Sequence, residues 1–299
     1  MLTAKGQAET LSANKEVINK LFNVLNTGDF SPWNSLVSQD YIEHGSNRPS
    51  GRAGFRRTYT GFRYAFPDIH VDAEYAVAQG DLVFIYTAVH ATQTGEFNGI
   101  APTGRAFNIH SGDLYRLVNN QVAEHWDVID QYSLLQQIGA VSGGTTNQAK
   151  GGVTPVAATP GSATLTATPT NLQSNKTVVE TLVKAINDNK PADIKMLIAE
   201  NYVEHAAESG VDFTDYAMAL STGFPDLHWT IKYSVAEGNM VYIFSSLAGT
   251  QSGRYKGVPP SGRKAVFDQV DLVRIENGKL VEHWGIQDRL SLFMQLGTN

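Results

Sequence analysis

The chain repeats itself, and that repeat constrains its architecture before any single residue is interpreted. Asn14-Lys15-x-Val17 returns as Asn175-Lys176-x-Val178, and Tyr41-x-Glu43-His44 returns as Tyr202-x-Glu204-His205, both at a spacing of 161 residues. The spacing then drops to 158 and holds. Phe66-Pro67-Asp68-x-His70 matches Phe224-Pro225-Asp226-x-His228, Thr92-Gln93-x-Gly95 matches Thr250-Gln251-x-Gly253, and Glu124-His125-Trp126 matches Glu282-His283-Trp284. A register this constant is a duplication. The 299 residues therefore divide into two domains, 1–141 and 175–299, each long enough to bury its own core. Between them, residues 142–174 are dominated by Gly, Thr, Ala, Pro and Ser and read as a flexible linker. A coil of that length spans roughly 30 Å, enough for the two domains to pair within one chain as a pseudo-dimer.

Charge and composition exclude several classes. The net charge of −6 is shared by both copies, and neither has the basic excess that nucleic-acid binding requires. With no cysteine, disulfides, thiolate metal sites and cysteine nucleophiles are ruled out. No segment has the length and apolarity of a membrane span, and the first 20 residues lack the apolar core of a signal peptide. The expectation is a soluble, cytoplasmic protein with no membrane partner.

Each copy opens with a helical pattern. Val17, Ile18, Leu21, Phe22 and Leu25 fall on one face, as do Val178, Val179, Leu182, Val183 and Ile186, with Asn14 and Asn175 as expected N-caps. A short helix near Trp33–Val37 and another from Ala53 to Ala65 follow, ending at the Phe66-Pro67-Asp68 turn. The period then changes to two. Residues 69–77 alternate, Leu82–Val89 is apolar on both faces as a central strand should be, and strands near Phe107–Val118 and Val122–Ile129 lead to a short closing helix. Helices first and meandering strands after predict an α+β fold: two tandem cone-like barrels, each with N-terminal helices packed on a curved, mostly antiparallel sheet.

In a strand, residues i and i+2 share a face, so His125 and Asp127 point together, as do Ser111, Asp113 and Tyr115 on the preceding strand. If those faces line the concave side, Asp113, His125 and Asp127 converge on one cavity, where a carboxylate beside an imidazole suits general acid–base chemistry. A hydrogen-bonded structural cluster satisfies the same pattern. The second copy keeps His283 and Asp271 but has Gly285 where the first has Asp127, so it cannot repeat chemistry that needs that carboxylate. Asp130 and Asp288 each precede an apolar helix and are read as N-caps. His44 and His205 either line the pocket or sit as satisfied histidines, and Tyr86 is a further candidate for substrate contact. The histidines have no short metal-ligand spacing, so no metal is expected. Arg48, Arg52, Arg56, Arg57 and Arg63 form a basic stretch that is either solvated or docks on Glu208, Asp212 and Asp215 of the second copy.

These strings resemble the SnoaL-like polyketide cyclase family, within the superfamily of cone-shaped α+β domains that includes ketosteroid isomerases. The resemblance rests on Tyr41-x-Glu43-His44, Phe66-Pro67-Asp68, Gly99 to Arg105, and Glu124-His125-Trp126-Asp127-x-x-Asp130, and it covers nearly all of each copy. It implies cofactor-independent chemistry in which an aspartate, matched here by Asp127, removes an acidic C–H proton and drives aldol ring closure. The family's polar partners, a glutamine and a histidine, fall at Ser111 and Asp113 in the first copy and at Gln269 and Asp271 in the second. The resemblance also implies that a protonated Asp113 could act as a hydrogen-bond donor. The expected ligand is a small, apolar, carbonyl-bearing molecule in the first domain. Its catalytic groups are expected to be Asp127, His125 and Asp113, and its contacts His44, Ser111, Tyr115 and Tyr86; in the second domain the contacts are His205, Gln269, Asp271 and His283. Two alternatives stay open: a non-catalytic ligand-binding or scaffold protein with the second domain as built-in partner, and a hydrolase or hydratase using a carboxylate-held water.

Overall fold

A computed structural model describes residues 4–45, 48–141, 172–205 and 212–298. The chain forms two compact units. Most of the expected linker lies outside the described residues. The elements of the first unit are α1 (Ala4–Thr27), α2 (Trp33–Leu36), β1 (Val37–Glu43), α3 (Arg52–Ala65), β2 (His70–Gln79), β3 (Leu82–Thr92), β4 (Ala106–Val118), β5 (Gln121–Ile129) and α4 (Gln131–Gln137). The second unit repeats them as α5 (Leu172–Asn187), α6 (Pro191–Leu197), β6 (Ile198–Glu204), α7 (Phe213–Gly223), β7 (His228–Glu237), β8 (Met240–Thr250), β9 (Lys264–Glu276), β10 (Lys279–Gln287) and α8 (Arg289–Leu296).

Each unit carries one five-stranded sheet, ordered β1-β5-β4-β3-β2 and β6-β10-β9-β8-β7. All pairs are antiparallel except the first of each, where β1 lies parallel to β5 and β6 parallel to β10. Register shifts between Ala73 and Tyr75 in β2, and at the matching place in β7, add the extra residue that bends a strand. In the first unit α1 packs on β2 and α3 on β1, and the core closes between them around Ile18, Leu21, Phe55 and Tyr115.

Three expectations change. The helices start earlier than read: α1 begins at Ala4 and α5 at Leu172, so Asn14 and Asn175 lie inside helices rather than capping them. Their side-chain amides instead donate to the carbonyls of Gly80 and Gly238, both at 3.2 Å, tying each helix to a hairpin turn. Second, β1 and β6 were not anticipated as strands. Third, the arginine stretch is engaged within the first unit. Arg52 donates to the Val37 carbonyl at 2.7 Å, Arg63 donates to the Leu25 carbonyl at 2.7 Å, and Arg56 lies 5.0 Å from the centre of the Phe30 ring. Asp212, its expected partner, caps α7 by accepting from Asp215 N at 2.9 Å, while Glu208 lies outside the described residues.

The repeated motifs have local explanations. Asp68 and Asp226 accept from Thr92 N and Thr250 N across the turn, at 2.8 and 2.6 Å. Gln93, fully buried, donates its amide to the carbonyls of Gly95, Ile100 and Ala101 and so holds the Gly/Pro loop; Gln251 does the same for Gly253, Val258 and Pro259. Gly95 is required because a Cβ there would stand 2.2 Å from the Tyr64 carbonyl. Asp130 and Asp288 cap the closing helices, accepting from Ser133 N and Ser291 N.

Candidate active site

Pairing β4 antiparallel to β5 sets Asp113 opposite Asp127 and Tyr115 opposite His125, and all four face the concave side. They line a cavity with an empty volume of about 670 Å³, counting the part open to solvent. Its walls are mainly apolar, with Phe22 and Leu25 from α1, Phe55 and Phe62 from α3, and Val71, Val89 and Ile109 from the sheet. At one end Arg48, Ser111, Asp113, His125 and Asp127 converge with the hydroxyls of Tyr59 and Tyr115. An apolar chamber with a few polar groups at one end is how small-molecule sites are built.

A buried chain of hydrogen bonds organises that end. His125 contacts Glu43 Oε2 through Nδ1 at 3.2 Å and Asp113 Oδ1 through Nε2 at 3.1 Å. Ser111 Oγ donates to Asp113 Oδ2 at 2.5 Å, with Thr87 Oγ1 2.8 Å from Ser111 Oγ, and Tyr41 donates to Glu43 Oε2 at 2.7 Å. Burial works against a charge on His125, but Glu43 and Asp113 override it and hold the imidazole up to about 10. Burial likewise opposes ionisation of Glu43, and the positive His125 and Arg48 bring it down to about 2. His125 is thus a fixed cation whose two N–H groups are both directed at carboxylates.

Asp127 stands apart from that chain. Its Oδ1 accepts from Arg48, whose Nη2 also lies 3.4 Å from Glu43 Oε1. Its Oδ2 is buried and has no hydrogen-bond partner. A buried carboxylate oxygen without a donor is a costly feature, worth about 1–3 kcal/mol or more, and it calls for a reason. Tyr59 and Tyr115, both buried, are pushed up in pKa by that burial and by Asp113, so they stay protonated.

The second unit keeps the chain of bonds but has no counterpart of Asp127; its own buried carboxylate oxygen without a hydrogen-bond partner is Asp271 Oδ2. His283 meets Glu204 Oε2 at 2.9 Å and Asp271 Oδ1 at 2.8 Å, and its pKa is held up to about 9 by the same opposition of burial and carboxylates. Gln269 donates to Asp271 Oδ1 at 2.7 Å. At Gly285 a Cβ would come within 2.8 Å of His283 Cε1, so the imidazole occupies the place of the absent side chain. No arginine stands between His205 and Arg254, so the second copy lacks the counterparts of both Arg48 and Asp127.

The expected residues therefore divide. Asp127, His125, Asp113, Ser111 and Tyr115 are brought together in the first unit, and Gln269, Asp271 and His283 in the second. His44 and His205 are not: they stack on Trp126 and Trp284 at 4.2 and 4.4 Å and bond to Glu124 and Glu282, on the strand face away from the cavity. Tyr86 also faces away, its ring 5.2 Å from His110. Asp113 is not a free donor, because both its oxygens already accept. Glu43 and Arg48 were missed. The repeated Tyr-x-Glu-His string signalled Glu43, but nothing in the sequence signalled Arg48. Ligand-type atoms of Asp113, His125 and Asp127 lie within 4.8 Å of one another. A metal would still fit poorly, since both His125 nitrogens point at carboxylates and Arg48 already serves as the cation on Asp127.

Fold and cavity together define a class: an α+β domain whose curved sheet and helices surround a mainly apolar cavity lined in part by buried acid–base groups. The chain belongs to the SnoaL-like polyketide cyclase family, whose sequence model matches residues 15–138 and 176–296. It is similar to the nogalonic acid methyl ester cyclase of Streptomyces nogalater, 28% identical over 123 residues that cover 39% of this chain and 92% of that protein. It is also similar to the aklanonic acid methyl ester cyclase DauD of Streptomyces sp. (strain C5), 27% identical over 135 residues, 40% of this chain and 80% of that one. Among solved structures, IdmH from Streptomyces antibioticus, described as a putative polyketide cyclase, is 27% identical and covers 42% of this chain and 98% of its own, with a TM-score of 0.38. No described helix is long and apolar enough to cross a membrane.

Proposed function

We propose that the first unit is a cofactor-independent cyclase acting on an apolar, carbonyl-bearing molecule, with Asp127 as the base. The observation that carries this reading is the unpartnered, buried Oδ2 of Asp127 beside an apolar chamber, its other oxygen fixed by Arg48. Oδ2 takes the proton from a carbon next to a carbonyl, and the C–H electron pair moves onto the carbonyl oxygen as an enolate. The enolate carbon attacks a second carbonyl of the same molecule, and the alkoxide formed there takes the proton back from Asp127. Three carboxyl groups face two basic groups at this end, leaving no unmatched cation to attract an anionic substrate, which favours a neutral one. His125, with both nitrogens engaged, acts by holding Asp113 and β1 in place rather than by touching substrate. The second unit, without a counterpart to Asp127, does not share the reaction.

The test is to incubate the full chain with nogalonic acid methyl ester and with aklanonic acid methyl ester, the compounds named for its relatives, and follow ring closure by chromatography. Conversion of at least one is expected, with Asp127→Asn lowering kcat about 10²–10⁴-fold while the melting temperature stays within a few degrees. Full turnover by that variant, or no conversion of either ester, counts against the reading.

A further inference from the structure

We infer that Arg48 is a second catalytic residue of this site: one guanidinium edge holds Asp127 while its remaining N–H groups take the oxygen on which negative charge develops. The inference rests on the reading of Asp127 as the base and adds the electrophilic half of the site.

Four observations lead there. Arg48 uses Nη2 on Asp127 and Glu43, and among the described residues its Nε and Nη1 form no hydrogen bond. A guanidinium has five N–H donors in a rigid plane, so donors remain beside the anchored edge. Arg48 lines the cavity, and its side chain keeps 18% of its exposure. The other candidate cation, His125, is excluded because Glu43 and Asp113 take both its N–H groups. Finally, the duplication acts as an internal comparison. The second unit keeps the Glu204–His283–Asp271 chain, yet the counterparts of Asp127 and Arg48 are absent together. A structural ion pair and a catalytic pair would both disappear jointly. What the first unit alone adds is a bare Asp127 Oδ2 whose sister oxygen is held by an arginine with donors to spare.

The chemistry follows from that adjacency. A carbonyl and its α C–H present an acceptor and an acidic hydrogen side by side. Arg48 and Asp127 present a donor and an acceptor side by side. When Oδ2 takes the proton, negative charge leaves the carboxylate and appears on the substrate oxygen, so beside Glu43 the guanidinium faces one further anion throughout, first Asp127 and then the enolate. Burial works against the guanidinium's charge, but Asp127 and Glu43 raise its pKa, so it donates throughout and never serves as the acid. A preorganised donor aimed at a developing oxyanion is worth more in a dry pocket than in water, and losing one costs about 10²–10³ in kcat.

The test uses 2-naphthol, an apolar aromatic whose ionised form copies an enolate and fluoresces at a different wavelength from the neutral form. Asp127→Asn imitates the protonated base and is expected to bind naphtholate more tightly than wild type. In that background Arg48→Met should weaken naphtholate binding at least tenfold and shift the bound probe towards its neutral form. Arg48→Lys, which keeps the charge but not the planar fork, should fall between; it serves as the variant if Arg48→Met does not fold. Naphtholate binding that ignores Arg48, or no naphtholate bound by Asp127→Asn, overturns the inference. Turnover of either ester with naphtholate indifferent to Arg48 removes this inference alone. Naphtholate held by Arg48 with neither ester converted instead removes the cyclase reading.

Discussion

At the scale of single residues, the two copies differ most sharply at one strand position, and the difference is steric as well as chemical. Gly285 is more than a missing carboxylate. A Cβ there would lie 2.8 Å from His283 Cε1 and 3.0 Å from Nε2, tighter than a real side chain tolerates, and the imidazole is fixed at both ends by Glu204 and Asp271. Gly285→Ala should therefore destabilise the second unit by about 1–3 kcal/mol, as overpacking does, measured as a lower urea midpoint of the full chain. For the same reason Gly285→Asp should not create activity in that unit, since the carboxylate would have neither room nor an arginine. An unchanged midpoint for Gly285→Ala would mean that His283 swings aside freely. Much of this site was legible from the strand period alone. The i, i+2 rule puts His125 with Asp127 and Ser111 with Asp113 and Tyr115, and the structure gathers those five around one cavity. His44, one residue past β1, escaped the rule. It follows the strand's end and stacks on Trp126, a contact set by tertiary packing rather than by any local pattern.

At the scale of elements, β1 shows what periodicity cannot reach. Val37–Glu43 contains Ser38, Gln39 and Asp40 in succession, and only Val37, Tyr41 and Glu43 are buried, so neither the strand nor the helical period stands out. It becomes a strand because β5, far along the chain, offers a parallel edge, with Ile42 opposite Glu124 and Glu43 opposite His125. The helices and the antiparallel hairpins were readable because their signals are local; a parallel pairing between distant segments leaves no such trace. Glu43 is what fastens this edge. Its carboxylate accepts from Tyr41, pairs with His125 and accepts from Gly45 N at 2.8 Å, linking β1 both to its own turn and to β5. Removing it leaves a buried imidazolium with one carboxylate fewer. Glu43→Ala should cost about 3–5 kcal/mol, the usual result of deleting one member of a buried ion pair, seen as a lower urea midpoint. Glu124→Ala, at a part-exposed cluster with His44 and Arg116, should cost about 1 kcal/mol. Equal losses from the two variants would contradict the assignment of β1's anchorage to Glu43.

At the scale of the whole molecule, duplication places the same pH-sensitive cluster in both units, and its linkage to folding has a definite sign. Both histidines are raised above the ordinary imidazole value of 6.5, His125 to about 10 and His283 to about 9. A group raised on folding binds its proton more tightly in the native state. Its stabilisation is complete below about pH 6.5 and is lost as pH climbs through the folded value. Glu43 is lowered from 4.5 to about 2, so its contribution is complete above about 4.5 and is lost as pH falls towards 2. Between those limits, roughly pH 4.5 to 6.5, both terms act at full strength, and stability should peak there. Above it both units should lose stability. The loss begins near pH 6.5, where the unfolded chain gives up its proton and the native imidazolium keeps it, and it is complete once the folded values, about 9 for His283 and about 10 for His125, are passed. Differential scanning calorimetry of the full chain at intervals from pH 5 to 10 should show the transitions of both units moving to lower temperature together from about pH 6.5 to 9. His283→Gln identifies the second unit's transition by lowering it at pH 6 and flattening its alkaline decline, with the other left in place. Transitions that stay level from pH 6.5 to 9, or an alkaline decline that survives the substitution, would show that the buried histidines do not control stability in this range.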